Sequence, residues 1–148
     1  MDELGIRVNY YEGAYSPWIR IDTDTLEELN TIKSIFLSLA EAGPSMVDFL
    51  DALRVTATGL DHLILERAEI PETVDKCLVR TETERGTVSF VWSLPVREWK
   101  RCAGLIDGII EYNRPAHQYL THEGVDDAIV VVALKEDRSR RNKALGQA

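Results

Sequence analysis

Cysteine is almost absent: Cys77 and Cys102 form neither a CxxC nor a zinc-ligand spacing. That excludes a disulfide framework and leaves two free thiols, the pattern of a reducing, cytoplasmic compartment. Phosphate-cradling motifs are missing too. There is no GxxxxGK[ST] and no GxGxxG, so nucleotide binding has no motif behind it. No GxSxG elbow or HExxH occurs, which removes the best-marked hydrolase and metalloprotease readings. Long apolar runs are lacking: the seven residues Ala128–Leu134 fall far short of a helical membrane span. Met1-Asp-Glu-Leu-Gly5 offers no basic or apolar signal region, so no secretory signal is expected.

Positive charge is scarce and badly distributed. The 148 residues carry a net charge of −8, yet Lys135 onward holds five basic residues against Glu136 and Asp137. Taking that +3 away leaves −11 on residues 1–134. An acidic body repels nucleic acid and attracts basic proteins. No repeat, low-complexity tract or linker interrupts the chain. The expectation is one domain over 1–137 and a disordered basic tail over 138–148.

What is present is periodicity. Ile6, Val8 and Tyr10 alternate with polar residues, as do Ile19 and Ile21, with Gly13 to Pro17 between them: a hairpin. Asp24, with Glu27 three residues on, predicts a capped helix that Gly43-Pro44 ends. Leu26, Leu29, Ile32, Ile35, Phe36, Leu39 and Ala40 line its apolar side. A short second helix is expected from Ser45, its apolar side Met46, Phe49, Leu50 and Leu53. Leu60 to Glu69 reads as a strand.

Residues 77–84 and 87–94 read as a second hairpin. A two-residue turn at Arg85-Gly86 sets Val79 opposite Trp92 and Thr81 opposite Phe90; a three-residue turn would set Arg80 opposite Phe90 and mix the faces. A third helix runs from Pro95 to Asn113, with Trp99, Cys102, Ala103, Ile106, Ile109 and Ile110 buried. Gly104 and Gly108 fall on its polar side with Arg97 and Arg101. Helical glycine costs about 0.5–1 kcal/mol, so that side is a candidate for close approach by a partner. The β-branched run 128–134 reads as a central strand covered on both faces, by the N-terminal hairpin or a second subunit. The order β-β-α-α-β-β-β-α-β implies an α+β two-layer sandwich: a mainly antiparallel sheet with the first and third helices on one face.

The densest polar cluster precedes that last strand: His117, Tyr119, His122, Glu123, Asp126 and Asp127. Two imidazoles with Glu123 or Asp126 could hold a catalytic zinc or iron, although the spacing matches no compact signature. Asp126 and Asp127, adjacent in an extended segment, make a poor acid–base pair and read as residues that solubilise the strand they precede. His62, after Asp61, reads as a surface or hydrogen-bonded histidine.

His117-Gln-Tyr-Leu120, a short acidic turn and Asp127-Ala-Ile-Val-Val-Val132 resemble the C-terminal end of small bacterial α+β proteins of the immunity type in polymorphic toxin systems. A Trp-containing strand and a helix precede it in the same order. The resemblance implies a binding protein without an enzyme site, and it carries over no catalytic residue, cofactor or metal. The expectation is therefore an intracellular, acidic binding or inhibitor protein that masks a basic toxin. Its candidate contacts are Tyr11, Tyr15, Trp18, Arg97, Arg101, Gly104, Gly108, His117 and Tyr119, with neither nucleic acid nor membrane as partner. Two other classes stay open: a structural or regulatory homodimer subunit, and a small metal-dependent enzyme near His117 and His122.

Overall fold

A computed structural model describes residues 5–13, 17–41, 43–52, 55–68, 76–82, 87–121 and 126–135. The apolar alternation of the N-terminus becomes β1 (Ile6–Glu12) and β2 (Pro17–Thr23), antiparallel with Val8 opposite Ile21. The amphipathic stretch after them is α1 (Leu26–Ala40). Its cap lies one residue later than Asp24 and Glu27 predicted. Thr25 accepts from the Glu28 N–H at 3.2 Å, and Glu28 reaches back to the Asp24 and Thr25 N–H groups. Glu28 also accepts from the Gly5 N–H, which ties the start of β1 to the helix and buries the carboxylate. Asp24 is thereby released to pair with Arg7 at 2.7 Å.

The expected second helix forms only in its second half. Met46–Asp48 is β3, and only Phe49–Ala52 turns as α2. Met46 is exposed and not core, because β3 pairs along β5 and turns Met46 outward with Glu66. Leu53 lies outside the described residues. β4 (Val55–Thr58) went unforeseen, and β5 (His62–Arg67) is shorter than its apolar stretch. Gly59 separates them at φ +90.

β6 (Leu78–Glu82) and β7 (Val88–Leu94) pair in the other register, with Arg80 opposite Phe90 and Leu78 opposite Trp92. The reason is the amphipathic arginine. Its stem occupies the inner face, and its guanidinium lies 5.8 Å from the Tyr10 ring centre and bonds the Tyr10 phenol and Glu12. Tyr10 in turn lies on Phe90, centroids 5.3 Å apart. Arg85-Gly86 lies outside the described residues.

α3 (Val96–Tyr112) follows the sequence closely, ending on Asn113 in the left-handed conformation. β8 (Ala116–Tyr119) and β9 (Ile129–Leu134) complete the fold. The α+β class is what forms, and antiparallel pairings outnumber parallel ones, four to three. The strands divide into two mixed sheets, β4-β1-β2-β9-β8 and β3-β5-β7-β6. α1 and α3 pack side by side against the inner faces, where Phe36, Trp92 and Trp99 form an aromatic cluster.

Asp126 and Asp127 do more than solubilise a strand. Asp126 accepts from the Cys77 and Leu78 N–H groups at 2.7 and 3.0 Å, and Asp127 from the Arg80 N–H at 2.9 Å. They clip the β6 edge of the four-stranded sheet to the chain entering β9 of the five-stranded one. Cys102 is buried and its thiol is pushed up to about 12 by burial, whereas Cys77 is half-buried; both are free. The tail from 136 onward lies outside the described residues.

Candidate functional site

Alternation sends Ile6, Val8, Ile19, Ile21, Val130 and Val132 into the core. By the same parity Tyr11, Trp18, Arg20, Asp22, Ile129, Val131, Ala133, His117 and Tyr119 share the outer face of the five-stranded sheet. No described helix overlies this face, where Tyr11, His117 and Tyr119 are exposed. Ile129, Val131 and Ala133 are nevertheless buried. Among the described residues, side chains of the flanking strands lie beside and above Val131.

The geometry shows how. β2 and β8 lie on either side of β9, so their backbones stand about 9–10 Å apart. The Trp18 and Tyr119 rings nonetheless approach to 5.9 Å between centroids, leaning toward each other above β9. The His117 ring meets Tyr119 edge-on, 5.4 Å between centroids and 86° between planes. Tyr11, Trp18, Arg20, His117, Tyr119 and Val131 line a concave pocket of about 290 Å³, with apolar Val131 among aromatic rings.

Arg20 is the permanent charge among the lining residues, and it is held in place. Its Nε donates to Asp22 Oδ1 at 2.8 Å, and Asp22 is almost wholly buried. That hydrogen bond, with the Tyr11 phenol assisting, holds the guanidinium above its ordinary pKa. With Nε on Asp22 and the Tyr11 phenol also against the guanidinium, the remaining terminal N–H groups are what the side chain can offer an occupant. Asp22 also lies 3.7 Å from the Lys135 ammonium and faces Arg7 across the β1–β2 pair.

Of the residues singled out in the sequence, Tyr11, Trp18, His117 and Tyr119 converge on this pocket. Tyr15 lies outside the described residues. Arg97, Arg101, Gly104 and Gly108 are elsewhere, on α3. A methyl added at Gly104 or Gly108 would meet nothing within 4 Å, so that surface is open. Arg101 is no free contact: it bonds Glu98 and the Leu120 carbonyl, fastening α3 to the end of β8. Sequence reasoning missed Arg20, Asp22 and Val131. The signal for Arg20 was present, since it shares parity with Trp18 between Ile19 and Ile21.

His122 and Glu123 lie outside the described residues, and Asp126 is committed to backbone N–H groups. Among the described residues no cluster of three His, Cys, Asp or Glu side chains is poised to hold a metal. His62 is exposed and bonds Asp48 at 2.7 Å. Among the described residues no helix is long and apolar enough to cross a membrane. The chain matches no family model, no curated protein and no solved structure.

Proposed function

We propose that the chain is a cytoplasmic binding or inhibitor protein of the immunity type, which captures a basic toxin on the outer face of its five-stranded sheet. The observation that carries this is the convergence of Tyr11, Trp18, Tyr119 and His117 on Arg20. Tyr, Trp and Arg are the residues most enriched among those that dominate binding energy; the rings bring large rigid contacts, and Arg20 is already held by Asp22. The charge of −11 on residues 1–134 supplies long-range attraction to a basic partner. Attraction sets the encounter rate, and the aromatic pocket supplies the anchors.

The test is a binding measurement against any basic protein encoded directly upstream of this gene, at low and high salt. The association rate should fall steeply with salt. Trp18→Ser with Tyr119→Ser should weaken binding about 100-fold or more, since buried interface anchors are commonly worth about 2 kcal/mol or more each. A folded double variant that binds like the parent chain would remove this face from the reading.

A further inference from the structure

We propose that the pocket between Trp18 and Tyr119 is a binding site for a small aromatic carboxylate, whose ring lies against the two side chains and whose carboxylate meets Arg20. The inference concerns the isolated protein and does not rest on the basic-partner reading.

Charge selects the anion. Around Asp22 the cations Arg7, Arg20 and Lys135 stand against the carboxylates of Asp22, Asp24 and Glu28, a local balance on a body of −11. Arg20 is the permanent charge that lines the pocket itself. An acidic protein that seats an arginine among aromatic rings repels a cationic guest at the position where the rings would otherwise favour one. A guanidinium edge fits a carboxylate because its parallel N–H groups match the two oxygens. Fixation through the buried Asp22 means that little side-chain freedom is lost on binding.

Shape selects the ring. Trp18 and Tyr119 are tilted by 52°, a cleft open at one side with Val131 beneath. The volume, about 290 Å³, lies at the small end of ligand sites. The same chemistry is available from a free aromatic acid or from the carboxyl-terminal phenylalanine of a peptide.

The experiment uses the full chain labelled with nitrogen-15 and follows the indole N–H signals. Trp18 is half-exposed, whereas Trp92 and Trp99 are buried and act as internal references. Benzoate, benzamide, benzylammonium and a pentapeptide ending in phenylalanine are the titrants. Benzoate or the peptide should shift the Trp18 signal saturably and bind at least ten-fold more tightly than benzamide. Benzylammonium should be the weakest. The tighter of the two acids identifies the source. Arg20→Lys keeps the charge beside Asp22 but loses the fork, and should bring benzoate toward benzamide; Arg20→Gln should abolish the preference. Tyr119→Ser, at an exposed position, should weaken every ring-bearing titrant while the Trp92 and Trp99 signals stay in place. Equal binding of benzoate and benzamide overturns the proposal. So does a saturable response from neither acid at tens of millimolar, or an Arg20→Lys chain that discriminates as the parent does.

Discussion

Both sheets have an outer face, and the two differ in what their side chains can reach. On the five-stranded sheet the outer positions of β1, β2 and β8 carry Tyr11, Trp18 and Tyr119. On the four-stranded sheet they carry Met46, Ile64, Val79 and Val91, and no Phe, Tyr or Trp among the described residues. Exposed apolar surface is found on each: Tyr119 is 50% and Met46 58% accessible. Exposure alone therefore does not distinguish them. Reach does. The Val and Ile side chains are short and cover their own strands, and Met46 stands on the edge strand β3, whereas an indole or phenol extends across the neighbouring strand. Only rings of that length can lean in from β2 and β8, meet above β9 and leave a concavity beneath. The lesson is that a flat sheet becomes a site through side chains long enough to build walls.

The comparison depends on the chain's passage from one sheet to the other, and breaking that passage should have the largest effect. Gly59, between β4 and β5, holds φ +90, and an added Cβ would lie 2.6 Å from the Tyr10 carbonyl oxygen. Gly59→Ala combines left-handed strain with a backbone clash, and should cost about 3 kcal/mol. Urea unfolding measures it; a loss below about 1 kcal/mol would mean that β1 yields easily at this point.

The second passage is the clip at the start of β9. Asp126→Ala leaves the Cys77 and Leu78 N–H groups without their acceptor, and should cost about 2 kcal/mol. Asp126→Asn retains an acceptor oxygen and should recover most of that. If Asn proves as damaging as Ala, the charge matters more than the two hydrogen bonds.

Sequence periodicity reached some of this and stopped for identifiable reasons. α1, α3 and the first hairpin were legible because each buries one continuous stripe. The β6–β7 register was missed because Arg80 was counted as polar and turned outward. A long aliphatic stem that ends on Tyr10 satisfies both environments, and no period registers it. β4 is an edge strand with no apolar alternation, its last three residues all exposed. The pocket was half visible. Tyr11, Trp18, His117 and Tyr119 drew attention as aromatic or clustered polar residues. What unites them is the parallel pairing of β2 with β9, in which Thr23 and Ala133 meet across 110 residues of chain. Local patterning carries no information about such a partner, so neither Arg20's position nor the walls around it could be assembled.

The smallest expected effect separates the two sheets by pH. Asp127 binds Lys76 at 2.7 Å and accepts from the Arg80 N–H; the Lys76 contact is the main reason its pKa lies below the ordinary aspartate range. A carboxyl whose pKa is lower in the folded chain stabilises fully above its unfolded pKa, and that stabilisation is lost as pH falls through the carboxylate range. His62 behaves oppositely. Its hydrogen bond to Asp48 raises its pKa, so its contribution is complete below the unfolded histidine value and disappears as pH rises through the folded one. Asp127 secures the junction between the sheets, whereas His62 clamps β5 to the residue that ends β3 at the solvent-facing surface. The His62 side chain is 54% exposed and that of Asp127 21%, so solvent screens the histidine more and the acid limb should be the steeper. Thermal melts from about pH 3 to about pH 8 on the parent chain, Asp127→Asn and His62→Gln test this. Asp127→Asn should flatten the acid limb and leave the neutral side unchanged. His62→Gln should remove a shallow decline above neutrality and leave the acid limb alone. A variant that changes the opposite limb would show that the two sheets are coupled through their charges more strongly than the separation of these pairs allows.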